Sequence, residues 1–462
     1  MDHLAPSERP FAARLPSLLD VPAILTIRRA SEGGLFGDAE RDRIALLGSL
    51  LEGGFAYVDL EEDLIAPDLD RRIAAAGARV IRSFHDFSGV PSDLEGRLAR
   101  LARGRGEVPK AAVLPRSSAD LARLIRAVRA LPPGEHVVLG MGDVGFPTRV
   151  LAPLLGSSWC YSSAPGKVVA PGHIDPRTLE VVYRYRSIGP DTAIYGVIGS
   201  PIMHSRSPHI HNAGYSEIGL DAVYLPFQVP DLDGFWPVAD LLRIRGLSVT
   251  VPYKQAVRAI VTRSDDPVRA TGACNTMTRA AAPGPWAGTN TDIEGFLGPL
   301  SAAFGGTIPD GLHATLIGAG GAARAVVYAL KTVGARVLIL NRTVEKARGL
   351  AREFACAHGG LDANGVAAAR GYSDLIVQTT SAGMAPDTTD PAPHIAFDGH
   401  ELVYELVYAP SLTPFSLRAH VAGCRIVSGM SMLISQAMRQ FQLFTGKTFP
   451  REIQETLARQ LD

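Results

Sequence analysis

The chain of 462 residues is 46% hydrophobic and 20% charged, and its 46 Lys and Arg residues balance 46 Asp and Glu residues. A net charge near zero gives no electrostatic reason to expect nucleic acid or an anionic membrane as a partner, so we expect small-molecule ligands. At about 150 residues per domain, the length predicts about three domains. The four cysteines lie far apart without metal-ligand spacing, and no apolar run is long enough to cross a bilayer. We therefore expect a cytoplasmic protein without a disulfide framework or zinc site.

Six β-rich runs alternate with amphipathic stretches over residues 1–187, which predicts parallel strands in an α/β fold. Their spacing is that of most of a (β/α)8 barrel. A polar stretch with Gly-Pro after the last run predicts a domain boundary near 187–193. The predicted strands cover residues 22–29, 57–62, 79–87, 109–115, 136–142 and 159–164.

Lys110 lies in the fourth of these runs, where an unpaired ammonium would be costly to bury. Such a lysine can form a Schiff base with a ketone. The iminium acidifies a neighbouring C–H, so that a histidine such as His85 can remove the proton. Taken singly, both residues also fit structural positions, since a lysine can extend to solvent from a strand end and a histidine can be hydrogen bonded in a core.

The motifs around these residues resemble type I 3-dehydroquinate dehydratase, a (β/α)8 barrel, from residue 2 to about residue 185. They are TIRRASEGG, DLE, SFHDF, PKAAVLP and SAPGK, the last of which stands where the family's flap has SAPGQ. The resemblance implies that Lys110 forms the Schiff base, that His85 is the acid and base, and that Glu32 orients His85. The further substrate contacts that it implies are Arg28, Arg149 and Ser163.

The sequence begins near the final Asp of the family's second-strand motif E-x-R-x-D, at Asp2. The resemblance therefore implies that two barrel strands and a substrate-binding Glu and Arg are absent from the chain as given. An open barrel would leave two unpaired strand edges, so we expect weak or absent dehydratase activity. A catalytically inactive barrel that serves as a scaffold is the alternative to an active dehydratase.

A strand-turn-helix pattern with the sequence GAGGAA follows a second predicted boundary, near 297–313, and indicates a nucleotide site. The next strand-like run ends at Asn341, Arg342 and Thr343, where an NAD enzyme would carry an acidic residue. Since no acid is present and an arginine can pair with a 2′-phosphate, the sequence favours NADP. The turn residues expected to face the cofactor are Gly318, Gly320, Gly321, Ala322 and Ala323.

Polar residues also stand at the ends of apolar runs in the C-terminal part, where ligands collect in α/β folds. Reduction of a ketone needs a proton donor for the developing alkoxide, and a lysine held by a carboxylate, here Lys254 with Asp292, can supply it. Taken singly, each residue also fits a helix cap or an exposed turn. The set is Ser205, Ser207, Lys254, Asn275 and Asp292.

These motifs together resemble shikimate dehydrogenase over residues 194–460, in GSPIMHSRSP, SVTVPYK, GACNT, NTDIEG and GMSMLISQ. The resemblance implies an α/β substrate-binding domain at 194–297, completed by C-terminal helices at 429–462. It also implies a Rossmann domain for NADP at 298–428. The implied reaction is the NADPH-dependent reduction of 3-dehydroshikimate to shikimate.

The same resemblance implies roles for individual residues. Lys254 and Asp292 would form the catalytic pair, and Gly429 would join the cofactor contacts. Asn341, Arg342 and Thr343 match the family's NADP-selecting N-R-T. The implied substrate contacts are Ser205 and Ser207 for the carboxylate, Thr250, Asn275, Asp292 and Gln436 for the ring hydroxyls, and Tyr408 beside the substrate.

Two positions depart from the shikimate dehydrogenase pattern. Ser248 stands where the family often has Asn, and TTSAGM at 379–384 replaces its A-T-P-x-G-M loop near the nicotinamide. Because a serine can reach substrate through water, we expect retuned affinity and an unchanged reaction.

The whole arrangement resembles the bifunctional dehydroquinate dehydratase/shikimate dehydrogenase family. Two other functions are alternatives for the C-terminal part. A quinate-type dehydrogenase often prefers NAD, and Arg342 and the paired serines argue against it. An NADP-binding sensor without turnover would leave the Lys254 and Asp292 pair without a purpose.

Overall fold

A computed structural model describes residues 4–5, 7–101, 106–163 and 172–461. They form two compact units, Met1–Thr192 with Phe227–Leu242 and Ala193–Pro226 with Arg243–Asp462. Strands alternate with helices in both units, which confirms the predicted α/β class. Among the described helices, none is both long and apolar enough to cross a membrane.

The described part of the first unit contains a five-stranded parallel sheet in which the strands follow chain order. Its strands are β1 (Ile24–Thr26), β2 (Tyr57–Glu61), β3 (Arg79–Asp86), β4 (Val108–Val113) and β5 (Val137–Gly140). Its helices are α1 (Arg9–Ala12), α2 (Leu15–Leu18), α3 (Glu40–Leu50), α4 (Pro67–Ala75), α5 (Leu94–Leu101), α6 (Ser118–Arg129), α7 (Gly142–Val150), α8 (Ala152–Leu155) and α9 (Pro176–Val181).

The sixth predicted strand, at 159–164, is wrong over its described residues, 159–163, which form no strand. The preceding turn explains the difference. The Ser157 hydroxyl accepts from the Val138 N–H at 3.1 Å and donates to the Val138 carbonyl at 3.2 Å. A side chain therefore satisfies the backbone groups of β5 that a neighbouring strand would otherwise pair with.

A segment far along the chain belongs to the first unit because it packs on α6. The Asp231 carboxylate accepts from the Ser118 N–H at 3.0 Å, and the Asp231 carbonyl accepts from the Ser118 hydroxyl at 2.8 Å. An acidic side chain at this position satisfies a backbone N–H that the first turn of a helix leaves without a partner. Residues 227–242 are thereby fastened to the N-terminal end of α6.

The second unit begins with a six-stranded sheet in the order β7-β6-β8-β10-β11-β9, in which β10 runs antiparallel to β8 and β11. Its strands are β6 (Ala193–Gly199), β7 (Ala222–Gln228), β8 (Gly246–Val249), β9 (Val261–Ser264), β10 (Thr276–Thr278) and β11 (Trp286–Thr289). The helices of this region are α10 (Ser207–Glu217), α12 (Asp266–Thr271) and α13 (Asp292–Ala303). Between them in the chain, α11 (Phe235–Leu241) lies in the segment 227–242 that belongs to the first unit.

A second six-stranded sheet is parallel throughout and has the order β14-β13-β12-β15-β16-β17. Chain order reverses between β12 and β15, and such a switch point is where doubly wound sheets bind nucleotides. The strands are β12 (His313–Ile317), β13 (Arg336–Leu340), β14 (Ala357–Gly359), β15 (Leu375–Gln378), β16 (Leu402–Glu405) and β17 (Arg425–Val427). The helices are α14 (Gly321–Thr332), α15 (Val344–Phe354), α16 (Ala363–Ala369), α17 (Pro414–Val421), α18 (Gly429–Thr445) and α19 (Arg451–Leu461).

Helix α18 connects the two sheets of the second unit. Its residues Ile434 and Phe441 are buried in one apolar cluster with Tyr195 of β6, Ile210 of α10 and Tyr224 of β7. The chain thus returns from the parallel sheet of β12–β17 to complete the core of the mixed sheet of β6–β11. It also brings Gln436 of α18 beside Asn275.

Candidate active sites

The glycine-rich turn lies between β12 and α14, at the switch point of the parallel sheet. Gly318 has φ of +111°, and a Cβ there would approach the Thr379 hydroxyl oxygen to 2.6 Å, so only glycine fits. Beside Gly320 and Gly321 a Cβ would meet nothing within 4 Å. The turn is therefore packed on its inner side and open on the other, where the N-terminus of α14 can receive a phosphate.

The remaining predicted cofactor residues lie around this turn. Ala323 is fully buried in α14, whereas Ala322 on the first turn of the helix is exposed. Gly429 begins α18, where a Cβ would come within 2.4 Å of the Leu406 carbonyl oxygen. These small residues let helices approach the carboxyl edge of the sheet closely, which is the edge at which nucleotides bind.

Asn341, Arg342 and Thr343 follow β13 directly. The Asn341 side-chain amide donates to the Thr343 carbonyl at 2.9 Å and so fixes the turn. Arg342 is exposed, and within the described part of the chain its guanidinium forms no ion pair. The guanidinium of Arg342 presents several N–H donors just after β13, the second strand of this sheet in chain order. That position and those donors suit the 2′-phosphate on the ribose of NADP.

Lys254 and Asp292 meet in the second unit. The Lys254 ammonium donates to Asp292 Oδ2 at 2.6 Å, and the Asn275 side-chain amide donates to Asp292 Oδ1 at 2.8 Å. Asp292 is 5% exposed, while the Lys254 side chain is 30% exposed. The carboxylate is thus enclosed by protein, and the ammonium that it holds remains accessible to a ligand.

The side-chain amide of Asn275 fixes the orientation of the Asp292 carboxylate. Its side-chain oxygen accepts from the Thr291 N–H at 2.8 Å and from the Thr276 hydroxyl at 2.7 Å. Its amide nitrogen also lies 3.3 Å from the Gln436 side-chain oxygen on α18. Because every polar atom of the Asn275 amide has a partner, it holds Asp292 in one orientation.

The two serines lie at the start of α10. Ser207 is buried, and its N–H donates to the Ser205 hydroxyl oxygen at 3.3 Å. Burial raises the pKa of Tyr408, and the positive charge of Arg206 opposes that shift. The Tyr408 side chain packs on the apolar cluster that includes Ile202 and Ile210, which flank the two serines in the sequence. Thr250 packs with its methyl group against Gly199, where a Cβ would be 2.7 Å away.

Ser248 has partners that the sequence did not indicate. Its hydroxyl accepts from the Tyr224 hydroxyl at 2.6 Å and donates to the Gln440 side chain at 2.7 Å. Gln440 in turn donates to the Thr276 hydroxyl at 3.0 Å. One lone pair of the Ser248 oxygen is left for the water-mediated substrate contact expected from the sequence.

In the first unit, Lys110 projects from β4 toward Asp59 of β2. Its ammonium donates to Asp59 Oδ2 at 2.8 Å and stands 4.2 Å from the centre of the Tyr161 ring. Arg28 lies 2.7 Å from Asp59 Oδ1. Burial alone would raise the pKa of the Asp59 carboxyl, but the charges of Arg28 and Lys110 hold it well below its usual range. Asp59 is therefore an anion that links two buried cations.

His85 and Glu32 form the second contact of this group. The His85 Nδ1 lies 3.0 Å from a Glu32 carboxyl oxygen. Burial, together with the nearby charges of Lys110 and Arg28, lowers the pKa of His85 to about 3. Burial raises the pKa of Glu32. His85 is therefore a neutral imidazole at physiological pH and can accept a proton.

Two other predicted contacts flank the group. Arg149 is 1% exposed and donates to the Tyr161 carbonyl at 3.3 Å, and burial lowers the pKa of its guanidinium. Ser163 is buried at the end of the same stretch. The rest of the flap sequence, 164–167, lies outside the described residues.

The sequence interpretation assigned no role to two buried acids of β2. Asp59 and Glu61 are 1% and 0% exposed. Glu61 accepts from Arg28 at 3.2 Å and lies 2.8 Å from the Arg43 guanidinium. The sequence DLE could have indicated this ion-pair cluster. Two acids at alternate positions of an apolar strand face the same side of the sheet, and they need cationic partners when they are buried.

Family descriptions match four segments of the chain. The description "Type I 3-dehydroquinase" matches residues 5–190. "Shikimate dehydrogenase substrate binding domain" matches residues 197–277, and "Shikimate / quinate 5-dehydrogenase" matches residues 308–385. "Shikimate 5'-dehydrogenase C-terminal domain" matches residues 429–453.

Individual proteins are similar either to nearly the whole chain or to a little more than half of it. A chloroplastic bifunctional 3-dehydroquinate dehydratase/shikimate dehydrogenase of Arabidopsis thaliana is 32% identical over 469 residues, which cover 94% of this chain and 74% of that protein. A shikimate dehydrogenase (NADP(+)) of Methanopyrus kandleri is 40% identical over 280 residues, 58% of this chain and 95% of the relative. The crystal structure of a Thermus thermophilus shikimate 5-dehydrogenase with NADP(H) and shikimate has a TM-score of 0.53 and 31% identity, and it covers 58% of this chain and 100% of that one.

Arg342→Ala should weaken binding of NADP+ by about ten- to a hundredfold, because it removes a charge-assisted contact to a 2′-phosphate. Binding of NAD+, which lacks that phosphate, should change by less than about threefold. Titration of both cofactors by fluorescence measures the difference. Arg348→Ala removes an exposed arginine from α15 and serves as the matched control. Equal losses for both cofactors in Arg342→Ala would contradict the assignment.

Proposed function

The chain belongs to the bifunctional 3-dehydroquinate dehydratase/shikimate dehydrogenase family, and we propose that Lys254 and Asp292 carry out its dehydrogenase reaction. It is a shikimate dehydrogenase fused to a type I 3-dehydroquinase domain, and its cofactor is NADP. The observation that supports the assignment is the 2.6 Å contact between an accessible ammonium and an enclosed carboxylate. The proposed reaction is the reduction of 3-dehydroshikimate to shikimate.

The residues around the glycine turn fit NADP. Open space beside Gly320 and Gly321 admits a pyrophosphate, and Arg342 is placed for the 2′-phosphate. NADPH supplies the hydride for the substrate ketone when it is bound. No acidic residue at Asn341–Thr343 competes for the phosphate.

Lys254 then acts as the proton donor. As the ketone carbon is reduced, negative charge develops on its oxygen, and the Lys254 ammonium both stabilises that charge and delivers the proton. Asp292 keeps the ammonium in place, and Asn275 keeps Asp292 in place. In the reverse direction Lys254 takes the proton from the shikimate hydroxyl.

The remaining predicted contacts position the substrate in this proposal. Ser205 and Ser207 would donate hydroxyl hydrogens to the carboxylate near the start of α10, where the helix dipole also favours an anion. The packing of Tyr408 on the apolar cluster that includes Ile202 and Ile210 supports a place for it beside the serines. Thr250, Asn275, Asp292 and Gln436 would then face the ring hydroxyls.

For the first unit, we propose that Lys110 forms a Schiff base with 3-dehydroquinate. The Lys110 amine must lose its proton, add to the ketone and release water to give the iminium. Neutral His85, oriented by Glu32, then removes a proton from the adjacent carbon and returns one to the departing hydroxyl, which leaves as water. Water then adds to the iminium carbon and the Lys110 amine departs, which restores the ketone and frees the lysine. The released product, 3-dehydroshikimate, is the substrate proposed for the second unit.

An inactive scaffold is the second candidate for the first unit. It is favoured by the open sheet, in which the described strands β1 and β5 are both edges. Both candidates retain the ion pair between Lys110 and Asp59, so only a chemical test separates them.

We also propose small metabolites as the only substrates and the cytoplasm as the compartment. The four cysteines are free thiols, which suits a reducing environment. The predicted division of the second unit at about residues 297 and 429 is supported by its two separate sheets.

Lys254→Ala should lower kcat for shikimate oxidation by about a hundredfold or more, with a much smaller change in KM, because the ammonium acts on charge that develops in the transition state. Lys254→Arg keeps the charge but cannot exchange the proton near neutral pH, so it should fail as well. Steady-state kinetics with NADP+ measure both. Turnover of either variant within a few-fold of the parent would show that Lys254 is not the proton donor.

Borohydride reduction in the presence of 3-dehydroquinate should attach the substrate skeleton to Lys110, detected by peptide mass, because the reductant fixes an iminium as a stable amine. Lys110→Met is the control and should give no adduct. An unlabelled Lys110 in a chain that fails to dehydrate 3-dehydroquinate would favour the scaffold. Dehydration without labelling at Lys110 would contradict the Schiff base.

A further inference from the structure

Glu405 is a buried carboxylate that the proposed reaction does not use. It ends β16, is 1% exposed, and forms no ion pair with a Lys, Arg or His among the residues that the structure describes. Burial raises its pKa to about 7. A carboxylate in such a place is costly unless several donors satisfy it.

The donors come from different segments of the second unit. Val407 donates its N–H to Glu405 Oε1 at 2.9 Å, and Thr413 donates its hydroxyl to Glu405 Oε2 at 2.6 Å. Gln378 stands opposite Glu405 at the end of β15, and its carbonyl accepts from the N–H of Leu406, the residue after Glu405, at 3.1 Å. We call Glu405, Gln378, Val407 and Thr413 the Glu405 hub.

On one side, the hub holds the loop 379–384. The Gln378 side-chain amide donates to the Ala382 carbonyl at 3.0 Å and its oxygen accepts from the Thr380 N–H. The same loop packs on the nucleotide turn, since a Cβ on Gly318 would lie 2.6 Å from Thr379 and 2.9 Å from Thr380. Displacement of the hub would therefore displace the wall of the cofactor site.

On its other side, the hub holds the segment that carries Tyr408. Val407 precedes the tyrosine, and Ala409, which follows it, accepts from the Ala385 N–H at 3.2 Å. The Tyr408 side chain packs on the apolar cluster that includes Ile202 and Ile210, which flank the serine pair in the sequence. The hub thus joins a cofactor-side loop to a substrate-side side chain.

We propose that Glu405 is a positioning residue that sets the placement of the nicotinamide relative to the substrate, by fastening the loop 379–384 and the Tyr408 segment to one carboxylate. This inference rests on the proposed dehydrogenase function. Hydride transfer is sensitive to such placement, because a shift of about 1 Å can cost about a hundredfold in rate.

Glu405→Met tests the proposal, since it keeps the bulk of the side chain and removes both acceptors. We expect kcat for shikimate oxidation to fall about tenfold or more, as the reactants are misaligned. The isotope effect on kcat, measured with shikimate deuterated at the carbon that is oxidised, should rise because hydride transfer limits turnover more strongly. A loss of folded protein alone would lower the active fraction and leave the isotope effect and KM unchanged.

Glu405→Gln should rescue the activity to within a few-fold of the parent. Its oxygen can accept from Val407, and its amide can donate to the Thr413 oxygen while the Thr413 hydrogen turns to Ser416, 3.2 Å away. Glu401→Met is the matched control. Glu401 is also buried, precedes the other end of β16, and accepts from the Asp398 and Gly399 N–H groups at 2.9 Å.

The parent chain is assayed first, and failure to oxidise shikimate with NADP+ would overturn the proposed function. If the parent is active, a slow Glu405→Met with a raised isotope effect, a rescued Glu405→Gln and an unaffected isotope effect in Glu401→Met support the positioning role. The role is overturned if Glu405→Met keeps the parent's kcat and isotope effect, or if Glu401→Met changes them equally.

Discussion

The buried Asp292 carboxylate is the group on which the proposed dehydrogenase site depends. It accepts from Lys254 in the loop after β8 and from Asn275 at the start of β10, and it lies at the first turn of α13. Burying a carboxylate costs several kcal/mol unless charge and hydrogen bonds compensate. One anion therefore holds three segments together, while the Lys254 side chain that it contacts stays 30% exposed.

In the first unit, a buried carboxylate likewise holds cationic side chains, on a sheet that is parallel throughout. One carboxyl oxygen of Asp59 contacts Lys110 and the other contacts Arg28. A carboxyl oxygen of Glu32 contacts His85. Here burial, together with the charges of Lys110 and Arg28, lowers the pKa of His85 and keeps the imidazole neutral. The same two cations outweigh the effect of burial on Asp59 and keep its carboxyl ionised, with a pKa below the usual range. Titratable groups with environments that push their pKa values apart are the usual basis for assigning acid and base roles.

Sequence predicted the parts of the sites that depend on local pattern. The strand-turn-helix at Gly318 and the residue after β13 could be placed because spacing along the chain determines them. Lys254 and Asp292 are 38 residues apart and were paired through chemistry and family resemblance. The prediction of a strand at 159–164 was wrong over residues 159–163, because the Ser157 hydroxyl pairs with the backbone N–H and carbonyl of Val138 that a neighbouring strand would have paired with. Strand propensities along the sequence do not reveal such a side-chain contact. The Glu405 hub could not be predicted from the sequence for a similar reason. Its members come from the end of β15, the loop after β16 and the residue before α17, which only the folded chain brings together.

The most direct test of the central claim is a double-mutant cycle on Lys254 and Asp292, measured as kcat for shikimate oxidation at saturating shikimate. Under that condition, loss of the proposed Asp292 contact to a ring hydroxyl raises KM and does not enter the comparison. If Asp292 acts by holding the Lys254 ammonium, Lys254→Ala combined with Asp292→Asn should be about as slow as Lys254→Ala alone. Losses that multiply in the double variant would contradict the account, because they would show that the carboxylate and the ammonium act independently.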